Sequence, residues 1–503
     1  MRMTNKIMQN NSLYNINQTK ITEDKYNTQL TSQSKITRPS DDPVIAIRAL
    51  RLRSNVSTAN QYYDKNAPDA EQWLDVTAKS LDTITTVYTS LYSQVQTGVN
   101  KDYTASDMQV LLTQIESYTN EVFATGNQDY AGRYIFTGYR TDTPLTMQKE
   151  QIDSTNKTPD YTITENIKPV QLDTISYTDY SVFDTTSSAA GAEETDITNY
   201  TLSRIRLSYS NLVDSSVADL EVTKSDGSTE TISITDTYTD AEAMYRAAAA
   251  AKEAGTAGAY VCSTTGEIIL TGSSLDDVTD ALENNGSVSI TYDKNEWNVD
   301  DLNPQHYFKT LDNTTNILYN SDGNVDTQIV YDVGYNQTIQ VNTNAYEVFD
   351  PAVARDLDDL RDIVNQFTEI ETIRKDLKTE LGTYVEGTTD YKNCQTRLDA
   401  AEKAYTYIRD TVSKRFGEQI TRYQAYLDST NVAITKNGTR STRLELISAR
   451  LEDQKSTFKE LQEENEGIDM TEVAVKLTAA ETTYDAALMA TSKIMQNSLM
   501  NYI

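Results

Sequence analysis

The sequence predicts a mainly α-helical protein with a β-rich insertion. Its N- and C-terminal helices should pair into a coiled coil or helical bundle, with a central strand-rich portion forming outer domains. Three observations carry this. Apolar stripes at alternating steps of three and four occur near both ends of the chain, the period of a helical seam. Between about residues 137 and 344 that period gives way to short alternating segments broken by Gly, Asn, Asp and Ser, as strands and turns require. A chain of 503 residues also exceeds one typical domain of roughly 100–200 residues.

The helices come first. Leu74, Ala78, Leu81, Ile84, Tyr88, Leu91, Val95 and Val99 form one stripe ending near Gly98, and Met108, Leu111, Ile115, Tyr118 and Val122 form a second. Ser106 with Gln109 three residues on has the form of a capping box, and Gly126-Asn127 that of a stop. Joined at 100–104, the two helices should run antiparallel. In the middle, Leu220-Glu221-Val222-Thr223, the turn Ser225-Asp226-Gly227 and Thr231-Ile232-Ser233-Ile234 read as a hairpin. Residues 240–254 read as a helix stopped by Gly255, and 260–262, 267–270 and 288–292 as strands. These strands hold few bulky apolar residues, so the insertion is expected to face solvent. The C-terminal part returns to the helical step with Leu398, Ala401, Tyr405, Ile408 and Val412, then Leu444, Ile447, Leu451, Phe458 and Leu461. Gly467 interrupts, and Asp469 is placed to cap a last helix with the stripe Leu477, Ala480, Tyr484, Ala487, Thr491 and Ile494.

Composition narrows the function. A formal net charge of −31 argues against a nucleic-acid partner, which needs a basic patch to neutralise phosphates, and against an anionic membrane surface. No apolar run approaches a membrane span and no apolar signal core follows Met1, so a soluble chain is expected; if exported, it uses a route without a cleavable signal. Two distant cysteines, Cys262 and Cys394, and one histidine, His306, leave little for a disulfide framework, a metal site or an acid–base pair. No catalytic residue, cofactor or metal ligand is expected, and residues 137–344 offer no nucleophile–base set for a carried enzyme. The abundance of tyrosine, 33 copies against 8 Phe, suits half-buried helical seams.

Two local patterns stand out. Lys6-Ile7-Met8-Gln9-Asn10 recurs as Lys493-Ile494-Met495-Gln496-Asn497, which suggests terminal helices with similar packing. Arg38-Pro39-Ser40-Asp41-Asp42-Pro43 reads as a break between helices: Pro39 disfavours helix at Arg38, Asp41 or Asp42 can cap, and Pro43 fits a first helical position.

That break resembles the signature of the hook-filament junction proteins of bacterial flagella, the hook-associated protein 3 family of the flagellin superfamily. Asn127 to Gly138 (NQDYAGRYIFTG) with Thr141 and Pro144-Leu145, Val333 to Gln337 through Val348-Phe349, Gly438 to Glu445, and the tail from Ile468 to Ile503 are similar to it as well. Together the matches cover roughly 1–145 and 330–503. Flagellin is the nearest rival, but flagellins usually carry an Ala-Gly-Asp-Asp-Ala-Ala-Gly type run where Pro39 to Pro43 stand here. Thr31-Ser32-Gln33 departs from the usual Ser-Thr-Gly or Ser-Ser-Gly, and Pro68 falls inside a long family helix, which it is expected to kink or restart at Asp69.

The resemblance implies a structural, extracellular component of the flagellum, exported unfolded through the flagellar secretion channel. Implied partners are neighbouring copies of the chain, the hook-side junction protein (hook-associated protein 1), flagellin, and an export chaperone on the C-terminal helices. It implies a terminal coiled-coil domain from 1–38 and 468–503, and a helical bundle from 39–136 and 345–467 with β elements at its edge (137–200 and 290–344). Residues 201–290 would form a solvent-facing insertion. Subunit contacts would fall on Ile7, Tyr14, Ile21, Leu477, Tyr484, Leu488, Ile494 and Leu499.

Overall fold

The computed structural model describes residues 5–152, 158–183 and 191–499, without the side chains of Asn5, Glu150 and residues 494–499. In chain order its helices are α1 (Asn5–Ser32), α2 (Pro43–Gln61), α3 (Ala67–Gly98), α4 (Ala105–Gly126), α5 (Lys149–Ile152), α6 (Ala241–Glu253), α7 (Ser273–Glu283), α8 (Ala352–Leu381), α9 (Thr389–Glu466) and α10 (Met470–Leu499). Its strands are β1 (Asp129–Tyr130), β2 (Arg133–Tyr134), β3 (Tyr161–Ile167), β4 (Leu172–Asp179), β5 (Thr198–Arg206), β6 (Leu220–Thr223), β7 (Thr229–Ile232) and β8 (Asp236–Tyr238). There follow β9 (Gly258–Cys262), β10 (Glu267–Thr271), β11 (Ser287–Lys294), β12 (Lys309–Asp312), β13 (Ile317–Tyr319), β14 (Val330–Gly334) and β15 (Gln337–Gln340). The expected class, helical ends around a strand-rich middle, is the one observed.

The chain forms two bodies. The first gathers Met1–Glu71, Tyr331–Ile339 and Thr442–Ile503. In it α1 lies along α10, and the bridge between Ser34 and Gly467 joins the end of one to the start of the other, so they run antiparallel. The β14–β15 hairpin is tied in by Asn66 Nδ2 donating to the Asp332 carbonyl at 2.7 Å and by the Tyr331 hydroxyl donating to Asp69.

The second body holds Gln72–Val330 and Gln340–Ser441. Its helices bury Trp73, Leu81, Ile84, Tyr88 and Leu91 of α3, Met108, Ile115 and Val122 of α4, Leu360, Val364 and Phe367 of α8, and Ile408, Val412, Phe416 and Tyr423 of α9. Those on α3 other than Trp73, those on α4, and Ile408 and Val412 on α9 belong to the stripes read from the sequence. Two sheets complete it, ordered β4-β5-β10-β9-β8 and β13-β12-β3-β11-β6-β7. All pairings are antiparallel except β8 with β9. The expected hairpin forms as β6–β7 with Leu220 opposite Ile232, and the expected helix forms as α6 with Asp240 as its cap.

The expectation drawn from sparse bulky residues misses a core. Ile205, Leu207, Val261 and Ile268 of one sheet meet Ile163, Ile167, Val222, Val288 and Ile290 of the other, and every residue of β9 and β10 is buried. Single β-branched residues from many short strands supply together what no one strand does.

Charge, not grease, fixes the five-stranded sheet to α8 and α9. Arg204 of β5 is fully buried; it donates to Asp173 of β4 at 2.9 Å and Asp359 of α8 at 2.9 Å, and also to Glu267 of β10. Arg206 reaches Asp356 and Asp359, and Arg422 of α9 reaches Asp173 at 2.8 Å and Asp356 at 3.0 Å. Burial opposes ionisation of Asp359, but the Arg204 and Arg206 guanidiniums hold its carboxyl far below the usual carboxylate range.

Two local expectations are corrected. The cap of α4 is Thr104, not Ser106: its hydroxyl accepts from Asp107 N while Asp107 accepts from Thr104 N at 3.0 Å. Both positions fit the capping pattern, and the earlier one satisfies the first turn. Pro68 does not restart the helix at Asp69. The helix runs without a gap from α2 through a π-helical turn at Tyr62–Asn66 into α3, so the local distortion falls just before Pro68 and not at Asp69.

Candidate assembly surface

The break motif is built as its residues suggest. α1 stops at Ser32, Gln33 turns the chain at a φ of 55°, and Asp42 caps α2 by accepting from Val44 N at 2.9 Å and Ile45 N at 3.2 Å with Pro43 in the first turn. Asp41 folds the preceding loop, accepting from Thr37 N at 3.0 Å and Arg38 N at 2.9 Å; the Arg38 and Thr37 amides hold its carboxyl below the usual range. Pro39 and Ser40 form the exposed turn between them. Opposite lies the C-terminal break. Lys35 N donates to the Glu466 carbonyl at 2.7 Å, Lys35 Nζ to the Glu464 carbonyl at 2.7 Å, and Arg53 pairs with the Glu466 carboxylate. Asp469 then caps α10 through Thr471 N and Glu472 N. Each break thus caps its own helix and hydrogen-bonds the other.

The helices of this body bury part of their apolar residues, among them Leu444, Ile447, Leu451 and Val473, and leave other large ones facing outward. Along α1 the less exposed positions are Gln9, Ser12, Ile16, Thr19, Glu23, Tyr26, Gln29 and Leu30; all but Gln29 follow a seven-residue repeat that mixes polar residues with Ile16, Tyr26 and Leu30. Ile7, Leu13, Tyr14 and Ile21 are instead exposed, by 48%, 57%, 64% and 62%. On α10, Val473 and Ala480 are buried and Leu477, Tyr484, Ala487 and Thr491 half-buried, whereas Val475, Leu488 and Met489 are exposed. The structure therefore splits the sequence-predicted contact residues. Ile7, Tyr14, Ile21 and Leu488 are exposed, while Leu477 and Tyr484 lie among the half-buried positions of the stripe. Ile494 and Leu499 belong to α10, but their side chains are outside the described residues, as is the tail 500–503. The sequence reading missed the outward face of α2, with Val44, Ile47 and Leu50 exposed by 60%, 56% and 62%; its inward face of Ala46, Ala49 and Ala59 was the available signal.

Little reactive chemistry is assembled elsewhere. His306 is buried with Nε2 at 3.2 Å from the Pro144 carbonyl, and burial pushes its pKa down to about 4. Cys262 and Cys394 are buried free thiols, both pushed up by burial. Among the described residues no three His, Cys, Asp or Glu are grouped to hold a metal, and no helix is long and apolar enough to cross a membrane. A cleft of about 410 Å³ lies in the second body; Arg206, Arg355 and Arg422 in its wall are already paired or hydrogen-bonded within the fold.

Residues 3–141 match the family model of the bacterial flagellin N-terminal helical region. Over that stretch the chain is similar to bacterial flagellins. Its named relatives are "Flagellar hook-associated protein 3" of Escherichia coli, 26% identical over 195 residues, and the protein of the same name from Salmonella typhimurium, 26% identical over 143 residues. These matches take in 38% and 28% of this chain and 60% and 45% of the relatives, so the chain spans less than two thirds of the curated relatives it matches. The solved flagellar hook-associated protein-3 from Legionella pneumophila aligns with 82% of this chain and 98% of its own at 10% identity and a TM-score of 0.30. The resemblance to hook-associated protein 3 read from the break motif agrees with these names.

Inside the matched region the NQDYAGRYIFTG block works as a packing device. Gly132 turns the β1–β2 hairpin at a φ of 75°, Ile135 and Phe136 are fully buried, and Phe136 meets Phe349 edge-on at 5.0 Å. Gly138, at a φ of 62°, lies where an added Cβ would strike Thr327 Oγ1 at 2.0 Å. The glycine at 138 is thus required sterically.

Proposed function

We propose that this chain is a structural subunit of the bacterial flagellum that sits at the hook-filament junction, between the hook-side junction protein and flagellin. The observation that supports it best is the apolar surface that the first body leaves exposed, on which Ile7, Leu13, Tyr14, Ile21, Val44, Ile47, Leu50 and Leu488 face outward. A helix gains most of its stability from burying an apolar face, and contiguous exposed apolar surface marks an interaction site. Packing against neighbouring copies would bury Ile7, Tyr14, Ile21 and Leu488, with segments 1–38 and 468–503 innermost and the bundle helices outside them. Before assembly the same surface is sticky, which suits an export chaperone on the C-terminal helices and passage through the flagellar channel as an unfolded chain. The role is mechanical, not enzymatic.

A second reading, a filament subunit, draws on the match to the flagellin N-terminal region. One strain separates the two. Deleting the gene should leave hooks without filaments and intact flagellin shed into the medium; hooks without filaments and with no flagellin in the medium would favour the second reading, and wild-type filaments would sink both.

A further inference from the structure

We propose that the two large sheets, with α6 and α7, form a unit that lifts off α8 and α9 and re-seats while staying folded, held down by an ionic latch that is charge-compensated on each side. The inference goes beyond the subunit reading above and does not depend on it.

The unit has cores of its own. One apolar cluster lies between the sheets and takes in Val278 and Ala281 of α7; a second lies between the five-stranded sheet and Met244, Tyr245, Ala248 and Ala249 of α6. Among the described residues neither cluster holds a side chain of α3, α4, α8 or α9. Successive residues of a strand point to opposite faces, so positions two apart share a face. In β4, β5 and β10, Ile175, Leu202 and Ile269 belong to the α6 cluster or pack against it. Two places away on the same face stand Asp173, Arg204 and Glu267. That face of the sheet is therefore apolar under α6 and charged where α8 and α9 meet it.

The charges divide into two sets, each of which holds together alone. On the sheet, Arg204 pairs with Asp173 at 2.9 Å and with Glu267, which also accepts from the Tyr245 hydroxyl of α6. On the helices, Asp356 accepts from Arg422 at 3.0 Å and from the Tyr426 hydroxyl at 2.7 Å. Asp359 differs: among the described residues its hydrogen bonds run only across the interface, from Arg204 and Arg206. Separation thus returns charged groups to water with counter-ions in place. The apolar contact it gives up includes Phe183, itself only partly buried, against Leu377 and Leu398. The attraction between buried charges is largely offset by the cost of taking them out of water, so docking of this kind is poised where an apolar interface would be fixed, and polar interfaces within a chain permit domain motion. A cleft of about 410 Å³ has Arg206 and Arg422 in its wall, so solvent already reaches the edge of the latch.

The test uses the full-length chain spin-labelled at Thr113→Cys on α4 and Ser225→Cys in the β6–β7 turn, both exposed positions; the native thiols are buried. Pulsed dipolar spectroscopy should show one main separation and a displaced population below about a tenth. Asp359→Lys should raise the displaced fraction several-fold and Asp359→Asn by less, with helicity by circular dichroism unchanged. Cys262 lies under α6 in the unit's own core, so its slow reaction with a thiol reagent should also be unchanged. With Asp359 in place, low urea should raise the same displaced population before Cys262 becomes reactive. A single unchanged separation under all these conditions would overturn the proposal. So would displacement that comes only together with loss of Cys262 protection, since sheets and helices would then be one cooperative block. Neither outcome touches the subunit reading, which stands or falls on the gene-deletion strain.

Discussion

At the scale of single residues the molecule depends on a few buried charges. Arg204 is held at 0% exposure by Asp173, Glu267 and Asp359, so Arg204→Met would leave three carboxylates crowded together without their main counter-ion. Removing one partner of a buried pair costs roughly 3–5 kcal/mol, and the urea midpoint of the second body should fall accordingly with helical content retained at zero denaturant. His306 makes a pH-dependent contribution. Its folded pKa of about 4 lies below the ordinary 6.5 because burial disfavours the charged ring. The unfolded chain therefore binds the extra proton first. Above about pH 6.5 the effect vanishes; as pH falls from 6.5 towards 4 stability is lost at about 1.4 kcal/mol per unit. His306→Gln, which keeps a donor for the Pro144 carbonyl and cannot titrate, should remove that slope from the pH profile of thermal melting; an unchanged profile would assign the slope to other groups.

At the scale of elements, close approach between helices fixes which residues are tolerated. A Cβ added at Gly98, the last residue of α3, would lie 2.2 Å from Phe416 Cδ1 of α9, and that ring is fully buried. Gly98→Ala should therefore cost roughly 1–3 kcal/mol through overpacking, even though alanine is the better helix former; Phe416→Leu combined with it should recover much of the loss in a double-mutant cycle. The same neighbourhood explains what could be read in advance. Stripes such as Leu74 to Val95 were legible because helical periodicity is local, and so was the β6–β7 turn. The order β4-β5-β10-β9-β8 was not, because it rests on pairings far apart in sequence. α7, with only Leu275, Val278, Ala281 and Leu282 among polar residues, gave too weak a stripe to find. The break at Pro39 to Pro43 was legible down to its caps, but which faces turn outward was not: periodicity reports that a stripe exists, whereas which residues of α2 lie inward, Leu52 and Val56, and which outward, Ile47 and Leu50, needs the neighbouring helix to be seen.

At the scale of the whole molecule, charge and apolar exposure are divided between the bodies. The net charge of −31 falls almost entirely on Gln72–Val330 and Gln340–Ser441, while the body that contains both ends is close to balanced. A nearly neutral surface with exposed Ile7, Leu13, Tyr14, Ile21 and Met489 favours association, and a strongly acidic one resists it. The two properties predict different fates on truncation. Removing residues 488–503 takes the last turns of α10 and no residue of the second body. The purified truncated chain should therefore keep the cooperative melting of that body within about 0.5 kcal/mol and lose only a small part of its helical signal. In a deletion strain complemented with the same truncation, the chain should be made but absent from sheared flagella, and swarming should not recover. Swarming restored to the wild-type radius would mean that the end of α10 is dispensable for incorporation, and the outward residues of α1 and α2 would then have to carry the contact without it.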